Sequence, residues 1–245
     1  MRRARKSGIY IQTSYHLVMA IRKHIGDTGP VAREGRPELS LTEQDALFRE
    51  AVAAIDVGDV AALERLIAAN PSLVSERLEA PGAWLQDGVG KALEGFFNRP
   101  YLLWFVAEDP VRNGKLPANI AAVATLIVDH ARRADVSSLQ AQLDYALTLV
   151  SWSWIARACG VQIALLDFLI NAGANLASNV NDALVNGNHD AAAHLIARGA
   201  PVTLAAALIL ERWDDVDRYL PGAEEGVLRF SFVLSSLDGR AEATA

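Results

Sequence analysis

Cysteine is nearly missing from this 245-residue chain: Cys159 is the only one. No internal disulfide can form, and neither a zinc ribbon nor any other multi-cysteine metal site is available. A reducing cytosol is the expected compartment. Long hydrophobic runs are missing too. Asp144, Arg157 and Asp167 interrupt the most apolar region, so no stretch reaches the roughly 18 residues of a membrane helix. Catalytic signatures are equally scarce, with no Gly-x-Ser-x-Gly, no His-Glu-x-x-His and no dinucleotide-binding glycine fingerprint. Gly88-Val-Gly-Lys91 has the outline of a phosphate loop, but Leu85 stands where the upstream glycine belongs and Ala92 follows the lysine. His189 and His194 are five residues apart, about 140° around a helix, which is a poor metal pair. Asp214, Asp215 and Asp217 lack the alternating ligands and central glycine of a calcium loop. The expectation is a non-enzyme with no catalytic residue, no cofactor and no metal site.

What is present is unevenly distributed. Residues 1–36 hold eight Lys/Arg against two acids, leaving fifteen against twenty-seven for the rest, or net charges of +6 and −12. The acidic body is a poor nucleic-acid binder. The leader, residues 1–40, reads as a flexible basic extension or an over-long start with Met19 as the alternative first residue, and Gly29-Pro30 and Arg36-Pro37 as linker. Its apolar part is broken by Thr13, Ser14 and His16, so it makes no secretory signal.

From Leu41 the spacing is helical. Leu47, Val52 and Ile55, then Val60, Leu63, Leu66 and Ile67, recur at steps of three and four. Asp56-Val-Gly-Asp59 separates the two helices, with Gly58 suited to the left-handed stop and Asp59 to the next N-cap. Gly160 and Gly187-Asn188 supply the same stop later. Five of the seventeen aromatics fall between Phe96 and Phe105. As a helix, Pro100 to Ala107 is apolar all round, which places it in a core covered by Leu73 to Gly95. The rim of the cluster, Glu108, Asp109, Arg112 and Lys115, suits a partner hot spot, since Trp, Tyr and Arg dominate such sites. Trp152 and Trp154 lie about 200° apart on a helix, so both cannot enter one core. Cys159, between Ala158 and Gly160, is expected to be packed in a slot for small residues.

A phrase recurs between Ala156 and Ala200: Ala156-Arg-Ala-Cys-Gly160, Leu166-Asp-Phe-Leu-Ile-Asn-Ala-Gly-Ala174, Leu184-Val-Asn-Gly187, Ala193-His-Leu-Ile-Ala-Arg-Gly-Ala200. Weaker copies begin at Phe48, Tyr101 and Leu204, the last without its middle glycine. This grammar resembles the ankyrin repeat, over roughly Leu41 to Ala223. The landmarks Leu66, Leu126, Leu169, Leu195 and Tyr219 are spaced 60, 43, 26 and 24 residues apart. The family period is about 33, so the last copies are too short for a full projecting β-hairpin, and its Thr-Pro-Leu-His opening is absent. The resemblance implies an all-α, ankyrin-like helical-repeat solenoid over 41–223, interrupted by a helical insertion at about 73–118. Residues 224–245 are expected to be a partly disordered tail.

The function implied is a non-catalytic module that binds another protein, with Tyr101, Trp104, Arg112, Lys115 and Trp152 as contact residues. A monomer without nucleic acid or membrane insertion is expected. The alternative is an enzyme or small-molecule binder using a pocket around 96–115, with Asp109, Arg112 and His130 as its polar groups.

Overall fold

The structure, a computed structural model, describes residues 40–176 and 179–237. The basic leader and residues 238–245 lie outside them. The described residues form twelve α-helices and four short 3₁₀ segments. Among them there is no β-strand, and the only extended pairing is a single antiparallel bridge between Arg77 and Tyr101.

The first pair shows how local chemistry sets the elements. Helix α1, Leu41–Val57, opens on a capping box in which the Ser40 hydroxyl accepts from the Glu43 N–H and the Glu43 carboxylate accepts from the Ser40 N–H. It buries Phe48, Ala51, Val52 and Ile55 at helical spacing and ends at left-handed Gly58. Asp59 then caps α2, Val60–Ala69, with Oδ1 2.9 Å from the Ala62 N–H. That helix buries Leu63 and Ile67, each burial stabilising by roughly 1.5–3 kcal/mol.

The insertion follows. A 3₁₀ turn at Pro71–Val74 leads to α3, Ala83–Val89, which runs into a second 3₁₀ turn, Gly90–Glu94. The aromatic run 102–107 is a 3₁₀ segment, Leu102–Ala107, rather than an α-helix, and every residue of it is buried. It is the core element expected there, in a tighter winding, begun after Pro100 and stopped by Glu108 in a left-handed conformation.

Five further α-helices carry the chain from Asn119 to Asn188: α4, Ile120–Arg133; α5, Leu139–Trp152; α6, Trp154–Ala158; α7, Gln162–Asn171; and α8, Asn179–Val185. Four more complete it: α9, His189–Ala197; α10, Leu204–Ile209; α11, Trp213–Tyr219; and α12, Glu225–Leu237. Helix α5 is buried almost throughout from Gln142 to Trp152, the mark of a helix enclosed on all sides.

The packing orders these elements into two successions of neighbours. In one, α1 touches 102–107, which touches α5, then α8, α10 and α12. In the other, α2 touches α4, then α7, then α9. Across them α1 packs on α2, 102–107 on α4, α5 on α7, α8 on α9 and α10 on α11. The landmarks Leu66, Leu126, Leu169, Leu195 and Tyr219 fall one in each of the second members α2, α4, α7, α9 and α11.

One closure recurs at seven helix ends: Gly58, Asp135, Gly160, Gly173, Gly187, Gly199 and Glu211 all have positive φ. In each, that residue's N–H donates to the carbonyl three residues back and the next N–H to the carbonyl five back. This double bond satisfies carbonyls that a helix end leaves open.

Within the expected C-terminal segment 224–245, Glu225–Leu237 forms a regular helix, α12, packed on α10, and residues 238–245 lie outside the described residues. Helix α12 buries Ser231, Leu234 and Ser235. None of the described helices is long and apolar enough to cross a membrane.

Candidate functional site

The aromatic cluster is interior. Phe97, Tyr101, Trp104 and Phe105 are buried, with Phe97 and Phe105 edge-to-face at 5.2 Å and Trp104 4.5 Å from the ring of Tyr145. Trp84 stacks on Phe105 at 6.3 Å, and Trp152 meets Phe96 edge-on at 5.7 Å. The guanidinium of Arg77 lies 4.5 Å over the Tyr101 ring. Each such contact adds about 0.5–1.5 kcal/mol beyond the burial itself.

Below the cluster the loop Glu108–Lys115 closes on a buried carboxylate. The Glu108 side chain is 0 % exposed, and its Oε1 accepts from the backbone N–H groups of Arg112 at 2.8 Å, Gly114 at 2.9 Å, and Asn113. Arg112 Nη2 stands 2.8 Å from Oε2 and 2.7 Å from Asp56 Oδ1, while Nη1 donates to Asp56 Oδ2 at 3.1 Å. Asn113 Nδ2 adds a 2.7 Å bond to the same Asp56 oxygen. Arg112 thus joins the insertion to α1, its side chain only 8 % exposed and 5.1 Å from the Phe105 ring. Asp109, taken out of water beside the Glu108 charge, has its carboxyl pushed up to about 7.

Four of the five expected contact residues are therefore placed inside: Tyr101, Trp104 and Trp152 in the aromatic core, Arg112 in the ionic loop. Against the expected contact set, little of these four side chains is open to a partner, since the rings pack against rings and the guanidinium is held by two carboxylates. Lys115 is exposed. The tryptophan pair divides, with Trp152 8 % and Trp154 48 % exposed, but not by helical spacing: extended Ser153 ends α5 at Trp152 and caps α6, which begins at Trp154. Cys159 is exposed rather than packed, because it ends α6 on the outer side of the turn. Its sulfur accepts from the Leu116 N–H at 3.4 Å, which sets it next to Lys115. Arg157 donates across to the Gly187 carbonyl and Asn119 Nδ2 to the Gly58 carbonyl at 2.8 Å. The turns of neighbouring pairs are thereby tied to one another, and near them in the chain Trp154, Cys159 and, at 38 %, Ile163 are open to water.

The polar set Asp109, Arg112 and His130 does not form a kit. Arg112 is committed to Asp56 and Glu108, while His130, on α4, has Nε2 buried without a hydrogen-bond partner. His194 pairs with Asp167 at 2.9 Å, and Arg198 reaches the same carboxylate. Two clefts flank α3. One of about 590 Å³ is lined by Glu79, Gln86, Gly90, Lys91, Glu94 and Arg99, among others, so the rejected phosphate-loop residues stand at its rim. The other, of about 170 Å³, lies between α1, α3 and the ionic loop. Among the described residues no three His, Cys, Asp or Glu side chains converge as a metal site requires.

The chain matches no protein-family model, no curated protein and no solved structure. Its function must be argued from this geometry.

Proposed function

We propose that the chain is a non-catalytic protein–protein interaction module built on degenerate ankyrin-like repeats, its packed pairs set side by side as a solenoid, with the insertion 73–118 supplying the 3₁₀ segment 102–107 as one pair's first member. The observation that carries the reading is the single closure repeated at seven helix ends along two successions of packed neighbours. Repeated pairs of this kind bury a continuous core and leave a long surface of consecutive turns, which serves binding and brings no chemistry of its own.

The binding edge is the one that carries Lys115, Trp154, Cys159 and Ile163. An exposed tryptophan and an exposed cation fit the composition of interface hot spots. Trp154 replaces Trp152 as the aromatic anchor, and Lys115 keeps its role. An open thiol suits a reducing, cytoplasmic setting, and the acidic body favours a protein over a nucleic acid as partner.

The test is cross-linked capture from native cell extract with the wild type and with Trp154→Ala. The variant should melt as the wild type does, within about 0.5 kcal/mol. One protein recovered with the wild type and lost with the variant supports the reading. A partner held equally by both would move the interface off this edge, and no partner under any condition would sink the module.

A further inference from the structure

The cleft between α1 and α3 is independent of that edge, and its chemistry is specific. Its lining includes Arg49, Val52 and Asp56 from α1, Trp84 and Gly88 from α3, and Arg112 with Asn113 from the ionic loop. Its volume of about 170 Å³ is well under the roughly 300–1,000 Å³ of sites for drug-sized ligands. It corresponds to about five or six waters at their liquid volume, the space of a small one-ring molecule.

The charges sort cleanly. Arg112 is held by two carboxylates, Asp56 and Glu108, and both Asp56 oxygens are engaged by Arg112 and Asn113. Asp45, one turn before Arg49, uses Oδ1 to accept from the Gly82 N–H at 2.8 Å and from Trp84 Nε1 at 2.7 Å. Arg49 has no ion-pair or hydrogen-bond partner among the described residues, so it is the guanidinium of the cleft that no carboxylate already holds.

The walls are set in advance. The Asp45 bond fixes the Trp84 indole at its edge, and Phe105 supports it from behind at 6.3 Å and 27°. Val52 supplies an apolar floor. Gly88 lies within α3, where glycine costs about 0.5–1 kcal/mol relative to alanine. A Cβ built there meets nothing within 4 Å. Neither packing nor backbone geometry asks for glycine at that point, yet its bareness keeps the cleft open.

We infer that this cleft binds a small carboxylate with a flat apolar body, the carboxylate paired with the Arg49 guanidinium and the body lying against Trp84 over Val52. A guanidinium is the side chain suited to grip a carboxylate with two parallel bonds.

Benzoate is the probe, with benzamide as its uncharged counterpart, each titrated into the full chain and read by the Trp84 indole N–H resonance, assigned with Trp84→Phe. Benzoate should saturate one site and benzamide should bind about tenfold more weakly or worse, as loss of a charge-assisted pair implies. Arg49→Gln, an exposed change, should weaken benzoate to the level of benzamide. Gly88→Leu should abolish binding while the melting temperature holds or rises. Absence of saturable benzoate binding, equal binding of benzamide, or binding untouched by Arg49→Gln would each overturn the assignment. If Gly88→Leu melts early, Arg49→Gln and the benzamide comparison still decide it.

Discussion

Glu108 is the one charged residue that is buried among the described residues, and three backbone N–H groups and a guanidinium converge on it where water does not reach. Glu108→Ala would orphan the three N–H groups and leave Arg112 to Asp56 alone, and breaking such a buried pair costs about 3–5 kcal/mol. Glu108→Gln keeps an acceptor at Oε1 and should lose less. Urea unfolding of the two variants checks the order, and a loss under about 1 kcal/mol for the alanine variant would refute the account. Its neighbour gives a pH dependence of definite sign. Asp109 holds its proton to about 7 in the folded chain and releases it near its ordinary 3.8 when unfolded. Between these values the native state binds more protons, so this group's contribution to stability falls as pH rises from about 4 to about 7 and is level above. The slope approaches about 1.4 kcal/mol per pH unit at most. Asp109→Asn should abolish it, so the difference in urea midpoint between variant and wild type should widen across pH 4 to 7. A constant difference would mean that Asp109 titrates alike in both states.

At the scale of elements, the glycine stops at Gly58, Gly160 and Gly187 could be read directly, since glycine advertises a left-handed turn. The same turn at Asp135 and Glu211 could not, because an acidic residue there looks like an ordinary surface position. That is why the Leu204 copy seemed to have lost its stop: Glu211 makes it instead, with the same pair of hydrogen bonds. Trp152 and Trp154 do face differently, but one helix's angular spacing is not the reason, since Ser153 breaks the helix between them. Which of them faced out was not legible, since the answer depends on Phe96, 56 residues from Trp152, arriving to cover it. The cleft beside Trp84 left no trace in the sequence, being made by elements that only tertiary packing brings together. Helix α12 escaped for a different reason. Its buried side is Ser231, Leu234 and Ser235, whereas Val227, Leu228, Phe232 and Val233 are exposed, so its apolar residues do not mark the face that docks. Small side chains let it settle on α10, where Ala205, Ala206 and Ala207 are buried. Ser235→Leu should therefore overpack that contact and cost about 1–3 kcal/mol, while Phe232→Ser stays within about 0.5 kcal/mol. Thermal melts that rank the two the other way would place Phe232 in the contact.

For the molecule as a whole, elements that touch mainly their neighbours should open from the ends inward. Hydrogen exchange is expected to be slowest in α5 and its neighbours α4 and α7, and fastest in α11 and α12. Uniform protection along the chain would instead indicate one all-or-none core. The arrangement also sets a timetable for synthesis. Helix α1 leaves the ribosome before the groups that seal it: Arg112 reaches Asp56 across 56 residues and Asn119 reaches Gly58 across 61. At about 5–20 residues per second, those groups follow roughly 3–12 s later. For that interval Phe48 and Ile55 lack their later cover, and the first pair is a client for whatever shields nascent apolar helices until the ionic loop arrives.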